Sequence, residues 1–321
     1  MVLVQEGREK MGDNFTLTPK RPVSGWRRFT ERAFYLANPF RVGNKLPSWL
    51  RDSGPWEAAF RAADPIRYSL WRSRNNGSPA AAVPEGPEAA IVASLRRDGI
   101  VILPGFVPPD LIAHMERTAR SYARAAAGID IDHPKPAEQT HLNNLGNDLR
   151  RDDPILTFLR SDGMLRIAGA YLGFRPRLRR LALFFNQPQP HLEGPDNVEK
   201  HFHADTHDFI ALKFFIYLHD TVEKNGPFTY VKETNFFGRR RGVVARIPAY
   251  SEISSEEMAE FVPASEWVLA TGPAGTGIFA ETTGVHRGGR TEAGHRLMLV
   301  AEYASRHPWI RFDHDIAGPD E

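Results

Sequence analysis

The densest group of titratable side chains in the sequence is the octapeptide from His201 to Asp208, which stands directly before a long apolar run. Side chains two positions apart in an extended segment point to the same face. His203 and Asp205 can therefore reach one metal ion together, while the small Ala204 between them points to the opposite face. Because the sequence contains no cysteine, any metal site must be built from histidine, aspartate or glutamate.

A second histidine, far along the chain, completes a ligand set that suits iron. His286 lies 83 residues after His203, within a glycine-flanked segment. Two imidazoles and one carboxylate form the facial arrangement that binds Fe(II) and leaves three coordination positions for substrate and dioxygen. Arg296 follows ten residues later, at the start of an expected strand. Since a guanidinium binds a carboxylate through two parallel hydrogen bonds, we expect Arg296 to bind a small dicarboxylate behind the metal.

These residues must be positioned by a β-rich core that follows a helical part of the chain. The pattern predicts helices over 89–97, 109–126 and 155–172, with a short strand over 100–103. From residue 178 onward, short β-type runs alternate with turns, and a β-α-β alternation is lacking. Helices followed by many short strands indicate a mainly β fold, an antiparallel double sheet with flanking helices. A late helix is expected over 254–261, beginning with a capping box of Ser254 and Glu257. The expected strands are 178–185, 209–219, 227–231, 243–247, 267–269, 276–280 and 296–303.

The first 87 residues differ in composition from the rest of the chain. They are rich in proline, glycine and arginine, which is typical of an extension that packs on a core domain, here residues 88–321. Trp26, Phe29, Ala33 and Leu36 fall at helical spacing, so a helix is expected over 26–36. This helix either docks on the main domain or makes a weak contact with an anionic membrane surface.

Charge and hydropathy exclude several function classes. The 41 Lys and Arg residues nearly balance the 39 Asp and Glu residues, so no global positive field favours nucleic acid. The charged segment 1–14 lacks the apolar core of a secretory signal, and the longest apolar run, 209–218, is too short to span a membrane. We therefore expect a cytoplasmic protein without a transmembrane segment and without nucleic-acid binding.

Several segments taken together resemble the phytanoyl-CoA dioxygenase (PhyH) family of Fe(II)/2-oxoglutarate-dependent oxygenases. His203-Ala204-Asp205 and the strand that follows are similar to the core signature of that family, and Val285-His286-Arg287 through Arg296 is similar to its distal motif. The segments that carry the resemblance are 98–106, 171–173, 203–205, 212–220, 225–231 and 285–296, and it extends over residues 88 to 305.

The resemblance implies a double-stranded β-helix, or jelly-roll, core that binds Fe(II) through His203, Asp205 and His286. It further implies that 2-oxoglutarate chelates the iron with its far carboxylate on Arg296, and that dioxygen is consumed as 2-oxoglutarate becomes succinate. Related halogenases carry a small residue in place of the carboxylate. Asp205 therefore favours hydroxylation of an unactivated carbon of a small or medium organic molecule, with desaturation or cyclisation at the same iron as alternatives.

Four further side chains have two interpretations each. Lys213, in an apolar strand, is either exposed on a half-buried face or placed near the co-substrate or an anionic substrate. Asn186, at the end of a strand, either forms a turn or reaches the co-substrate pocket. His201 and His207 point toward the metal side of the strand, where they either support the ligands or face solvent, or else contact substrate.

Two other functions stay open from the sequence. A cupin-type metal enzyme without 2-oxoglutarate would use the His201 and His203 pair, followed by a carboxylate such as Asp208. A non-catalytic jelly roll would bind a ligand or carbohydrate without stoichiometric metal. The sequence identifies neither the substrate nor the oligomeric state.

Overall fold

The computed structural model describes residues 47–51, 53–75, 84–135, 140–188, 201–206, 208–247 and 253–305, together with 308, 312, 315 and 316. The helix expected over 26–36, and with it the expected membrane contact, lies outside the described residues, as does His207. Within these ranges, no helix is both long enough and apolar enough to cross a membrane.

The strands of the described residues pair into two antiparallel sheets. The larger sheet has the order β1-β7-β4-β9-β3-β2 and the smaller one has the order β6-β5-β8. This double sheet is the jelly-roll core that the sequence predicts, so the fold class is confirmed. The strands are β1 (Ile100–Leu103), β2 (Thr140–Leu142), β3 (Arg177–Asn186), β4 (Leu212–Tyr217), β5 (Phe228–Val231), β6 (Trp267–Leu269), β7 (Gly277–Glu281), β8 (His286–Gly288) and β9 (Arg296–Ala304).

Most of the helices precede β3 in the chain. They are α1 (Ser48–Arg51), α2 (Gly54–Arg74), α3 (Gly86–Asp98), α4 (Pro109–Ala127), α5 (Leu145–Asp148), α6 (Pro154–Leu159), α7 (Asp162–Leu172), α8 (Arg241–Val244) and α9 (Ser255–Phe261). The expected capping box at the start of α9 is present, because Ser254 accepts from the Glu257 amide and Glu257 accepts from the Ser254 amide.

The central strand β4 shows how the larger sheet separates two cores. Leu212, Phe214 and Ile216 point to one face, where they pack with side chains of the helices. Phe215 and Tyr217 point to the other face and join a second core with residues of the smaller sheet. Because every residue of β4 is buried, the strand reads as a continuous apolar run interrupted only by Lys213.

A glycine connects the first helix of the family-like region to the sheet. Gly99 ends α3 in a left-handed conformation with φ of 82°, and a Cβ atom there would lie 2.4 Å from the Tyr230 hydroxyl. Only glycine satisfies both constraints. The turn therefore brings β1 against β7 at the edge of the larger sheet.

The prediction of a strand over 243–247 is wrong. Residues 241–244 form the short helix α8, which packs against α2. Its ends are fixed by long-range contacts: Arg246 pairs with Glu57 at 2.7 Å, and the Trp56 indole donates to the Ala245 carbonyl at 3.1 Å. These contacts override the β propensity of the two valines. Two short strands that pattern did not predict, β2 and β8, complete the edges of the two sheets.

Candidate metal centre

Two histidines from distant parts of the chain face each other across one pair of backbone hydrogen bonds. The His203 amide donates to the His286 carbonyl and the His286 amide donates to the His203 carbonyl, both at 2.9 Å. Residues opposed in an antiparallel pair place their side chains on the same side. The two imidazole centroids accordingly lie 4.4 Å apart.

Each imidazole is oriented by a carbonyl two residues earlier. His203 Nδ1 lies 3.2 Å from the His201 carbonyl oxygen, and His286 Nδ1 lies 3.0 Å from the Gly284 carbonyl oxygen. An imidazole that donates its Nδ1–H to a carbonyl presents an unprotonated Nε2. Both rings are therefore arranged to coordinate through Nε2.

The protonation state of His286 suits this role. Burial, together with the neighbouring His203, lowers the pKa of His286 to about 3. The imidazole is therefore neutral at neutral pH, as a metal ligand must be.

Asp205 brings the carboxylate to the same point. Its amide donates to the Thr282 carbonyl at 2.8 Å, which ties the segment to the turn between β7 and β8. Its Oδ2 atom lies 4.0 Å from His286 Nε2. One ligand atom each from His203, Asp205 and His286 lies within 4.8 Å of the others, the geometry of a metal site with two imidazoles and one carboxylate.

Lys213 is a buried partner of this carboxylate. Its side chain projects from the second residue of β4 toward the smaller sheet, and the residue is only 8% exposed. The ammonium donates to Asp205 Oδ2 at 2.6 Å. The interpretation of Lys213 as a surface residue is therefore wrong, because an inward-facing ammonium in a buried strand is accommodated by pairing with a carboxylate.

Arg296 and Asn186 form a buried pair at the end of the larger sheet. They are directly opposed on β9 and β3, and Arg296 Nη2 donates to Asn186 Oδ1 at 3.0 Å. Arg296 Nη1 donates to the Gly289 carbonyl at 3.2 Å, which links it to the segment after β8. Asn186 thus belongs to the strand and orients the guanidinium, in place of forming a turn.

The metal-facing histidines and Arg296 line one cavity of about 320 Å³. Its volume is at the lower end of the range for small-molecule sites. The lining residues are His141, Asn143, Arg180, Phe184, His203, Lys213, Phe215, Phe228, His286, Gly288, Arg296, Met298 and Val300. Of the two expected substrate contacts, His201 is half-buried but is absent from this lining, and its carbonyl instead orients His203.

Sequence reasoning missed the buried carboxylate that holds the turn before His286. Glu281 accepts from the Tyr171 hydroxyl at 3.0 Å, from the Phe236 amide at 2.5 Å and from the Thr283 hydroxyl. Burial raises the pKa of Glu281, while these donors and the nearby Arg241 oppose that rise. The available signal was a glutamate at the end of an apolar strand, directly before Thr282-Thr283-Gly284.

Fold and site together define a jelly-roll protein with a metal centre of two histidines and one carboxylate. The family model for phytanoyl-CoA dioxygenase (PhyH) matches residues 95–296. The chain therefore belongs to the PhyH family of Fe(II)/2-oxoglutarate-dependent oxygenases, and the resemblance noted in the sequence is confirmed. No curated protein sequence matches the chain.

The chain is similar to several solved structures, of which EctD supports the same fold. EctD from S. alaskensis with bound Fe has a TM-score of 0.51 and 18% identity, covering 72% of this chain and 84% of EctD. AviO1 from Streptomyces viridochromogenes has a TM-score of 0.46 and 17% identity, covering 71% of this chain and 98% of AviO1. SnoN, a non-haem α-ketoglutarate-dependent epimerase from nogalamycin biosynthesis, has a TM-score of 0.47 and 17% identity, covering 68% of this chain and 80% of SnoN.

Proposed function

We propose that the chain is an Fe(II)/2-oxoglutarate-dependent dioxygenase that hydroxylates an unactivated carbon of a small or medium organic molecule. The observation that carries this proposal is the convergence of His203, Asp205 and His286 beside a cavity that the two histidines line together with Arg296.

The three side chains fit Fe(II). They would hold the metal through Nε2 of each imidazole and one carboxylate oxygen, which leaves three positions for a chelating 2-oxo acid and dioxygen. Carbonyl oxygens near Nδ1 of both rings orient them for this role. When bound, Fe(II) would supply oxidation of the substrate by dioxygen, coupled to decarboxylation of 2-oxoglutarate to succinate.

Arg296 would bind the far carboxylate of 2-oxoglutarate. Arg296 is 1% exposed. Its planar guanidinium donates to two uncharged acceptors, Asn186 Oδ1 and the Gly289 carbonyl. A hydrogen bond to a charged group contributes about 1.5–3 kcal/mol. We assign Asn186 the task of orienting this fork toward the co-substrate.

Lys213 would orient the acidic ligand and face the co-substrate. Its hydrogen bond to Asp205 Oδ2 fixes the carboxylate, and its side chain lines the cavity. Such outer partners of metal ligands fix ligand orientation and tune affinity.

Hydroxylation is the outcome that the ligand set favours. With a carboxylate at position 205, all three protein ligands are present, whereas halogenases of this class free that position for halide. Hydroxylation is thus proposed ahead of halogenation, with desaturation and cyclisation at the same iron as alternatives.

Succinate formation from 2-oxoglutarate tests this function directly. Full-length protein, loaded anaerobically with Fe(II), would be exposed to oxygen with and without a panel of organic molecules. We expect Asp205→Ala to abolish succinate formation and Arg296→Ala to raise the 2-oxoglutarate requirement at least about tenfold. Asp152→Ala serves as the control, since that side chain is 73% exposed.

Three outcomes would reject the proposal. Normal turnover by Asp205→Ala contradicts the assigned metal site. Oxygen uptake that does not depend on 2-oxoglutarate selects the cupin-type alternative. A folded protein that takes up no stoichiometric metal selects a non-catalytic ligand-binding role.

A further inference from the structure

Strand β9 carries one charged residue near each end, and each has a neighbour directly opposite on an adjacent strand. We call these two positions the Arg296 level and the Glu302 level. Arg296 and Glu302 lie on the same face of β9, six residues apart, a separation of roughly 20 Å along an extended strand. Lys213 stands directly opposite Glu302 on β4, and its ammonium contacts Asp205. The Glu302 level therefore lies beside the metal ligands, at the end of the cavity away from Arg296.

Arg180 occupies that same level on the neighbouring strand. It stands opposite Glu302 on β3, just after a β-bulge at Arg179, and its side chain lines the cavity. The side chain is 12% exposed. A 2-oxoglutarate held between the metal ligands and Arg296 would leave Arg180 free of the co-substrate, at the other end of the cavity.

Arg180 shares its acidic partner with a second arginine. Its Nη2 lies 3.2 Å from Glu302 Oε2, and the same carboxylate pairs with Arg179 at 3.0 Å, which in turn pairs with Asp315 at 2.9 Å. The Nε atom of Arg180 is buried and has no hydrogen-bond partner among the described residues. A buried donor of this kind at a cavity wall calls for an acceptor from a ligand.

The other lining residues agree with an anionic ligand. Among the described residues that line the cavity, three are cationic, Arg180, Lys213 and Arg296, and none is acidic. Arg296 is assigned to the co-substrate and Lys213 pairs with Asp205. Arg180 also has a carboxylate partner, but its buried Nε has none among the described residues, so Arg180 is the cation that we assign to a second anion. The wall between the two charged levels is apolar.

We propose that the substrate is a small organic acid whose carboxylate binds Arg180 and whose apolar part lies along Phe184 and Phe215. This inference rests on the proposed function, because it takes the Arg296 end of the cavity as the 2-oxoglutarate site. The planar guanidinium matches a carboxylate, which accepts two parallel hydrogen bonds. Arg180 is thus a specificity-determining residue.

Binding of charge-matched probes tests the inference without turnover. Anaerobic full-length protein would be loaded with Mn(II) and 2-oxoglutarate, and probe binding would be measured by paramagnetic relaxation of probe protons. The probes are 3-phenylpropanoate with 3-phenylpropanamide, and hexanoate with hexanamide. We expect the acids to bind at least tenfold more tightly than the amides. Arg180→Gln should weaken acid binding about ten- to hundredfold and leave amide binding unchanged.

Two further variants keep the test decisive. Arg175→Gln removes an exposed arginine that precedes β3 and should bind like the wild type. Arg180→Lys keeps the charge without the fork and should bind the acids with intermediate affinity, which separates recognition from loss of fold. Equal binding of acids and amides, no binding of either acid, or full acid binding by Arg180→Gln overturns the inference.

The protons of 2-oxoglutarate report separately on the proposed function. Their relaxation by Mn(II) must persist when an acid probe is added. If the acid displaces 2-oxoglutarate, it binds at Arg296 and the inference about Arg180 is wrong. If 2-oxoglutarate shows no relaxation from the start, the proposed function itself fails.

Discussion

At the residue scale, backbone and side-chain contacts within the chain fix the metal-facing geometry. The backbone bridge between His203 and His286 sets the distance between the rings, and carbonyl acceptors on both Nδ1 atoms set their rotation. Asp205 is held from two sides, by the Thr282 carbonyl and by the Lys213 ammonium. A preorganised ligand set of this kind loses little side-chain freedom when it binds its ion.

The pair of Asn186 and Arg296 gives a prediction at the same scale. Asn186→Asp would place a carboxylate 3.0 Å from the guanidinium, where it competes with the far carboxylate of 2-oxoglutarate. We expect 2-oxoglutarate affinity to fall at least about tenfold, a cost of about 1.4 kcal/mol or more, with Fe(II) affinity unchanged. Anaerobic calorimetric titration measures both. Wild-type 2-oxoglutarate affinity in the variant would remove Asn186 from the co-substrate site.

Sequence spacing predicts the ligands better than their partners. The period-two rule correctly placed His203 and Asp205 together, and Arg296 is buried as expected of a residue that binds an acid. The hydrophobic pattern of the sequence could not show whether Lys213 is exposed or faces a pocket. The alternation of side chains along a strand assigns Lys213 to one face of the sheet but does not show what covers that face. The covering sheet consists of β5, β6 and β8, and two of these strands, β6 and β8, come from distant parts of the chain.

At the element scale, helix α2 supports the segment that follows the metal motif. Trp71 is fully buried, packs edge-on against Phe174, and donates from its indole to Asp208 Oδ1 at 3.0 Å. Asp208 lies three residues after Asp205. A second contact joins α2 to α8, where Arg241 Nε lies 3.5 Å from Asp64 Oδ2.

Removing the Trp71 side chain should test this support. We expect Trp71→Ala to lower the free energy of unfolding by about 3–5 kcal/mol and Trp71→Phe by about 1–3 kcal/mol, since the latter loses only the hydrogen bond and some volume. Leu70→Ala is the matched control, because Leu70 is 62% exposed and should change stability by less than about 0.5 kcal/mol. Urea-induced unfolding measures all three. Equal stability of the Trp71→Ala and Leu70→Ala variants would show that α2 does not support the core.

Helix α2 was not predicted, although its pattern was present. Phe60, Asp64, Tyr68 and Trp71 recur at helical spacing, but Pro65 and the many arginines gave the segment the composition of a linker. Pro65 is accommodated inside the helix. The extent of residues 1–87 as an extension of the core domain stays a prediction.

At the scale of the whole molecule, the jelly roll converts long sequence separations into one site. The order β4-β9-β3 puts Lys213, Glu302 and Arg180 on one level and Asn186 with Arg296 on another. Helix and strand order predicted a double sheet, and the family resemblance supplied the topology that pattern alone does not contain. The bridge between His203 and His286 could not be predicted from spacing, because β8 has only three residues and no alternating signal.

Anaerobic Fe(II) titration of single-ligand variants tests the central claim most directly. We predict one Fe(II) per chain for the wild type, and at least about hundredfold weaker binding for His203→Ala, Asp205→Ala and His286→Ala. His201→Ala should bind like the wild type, because His201 orients His203 through its backbone carbonyl, which the substitution keeps. Wild-type Fe(II) binding by the three ligand variants, or an equal loss in His201→Ala, would contradict the assignment of the metal centre.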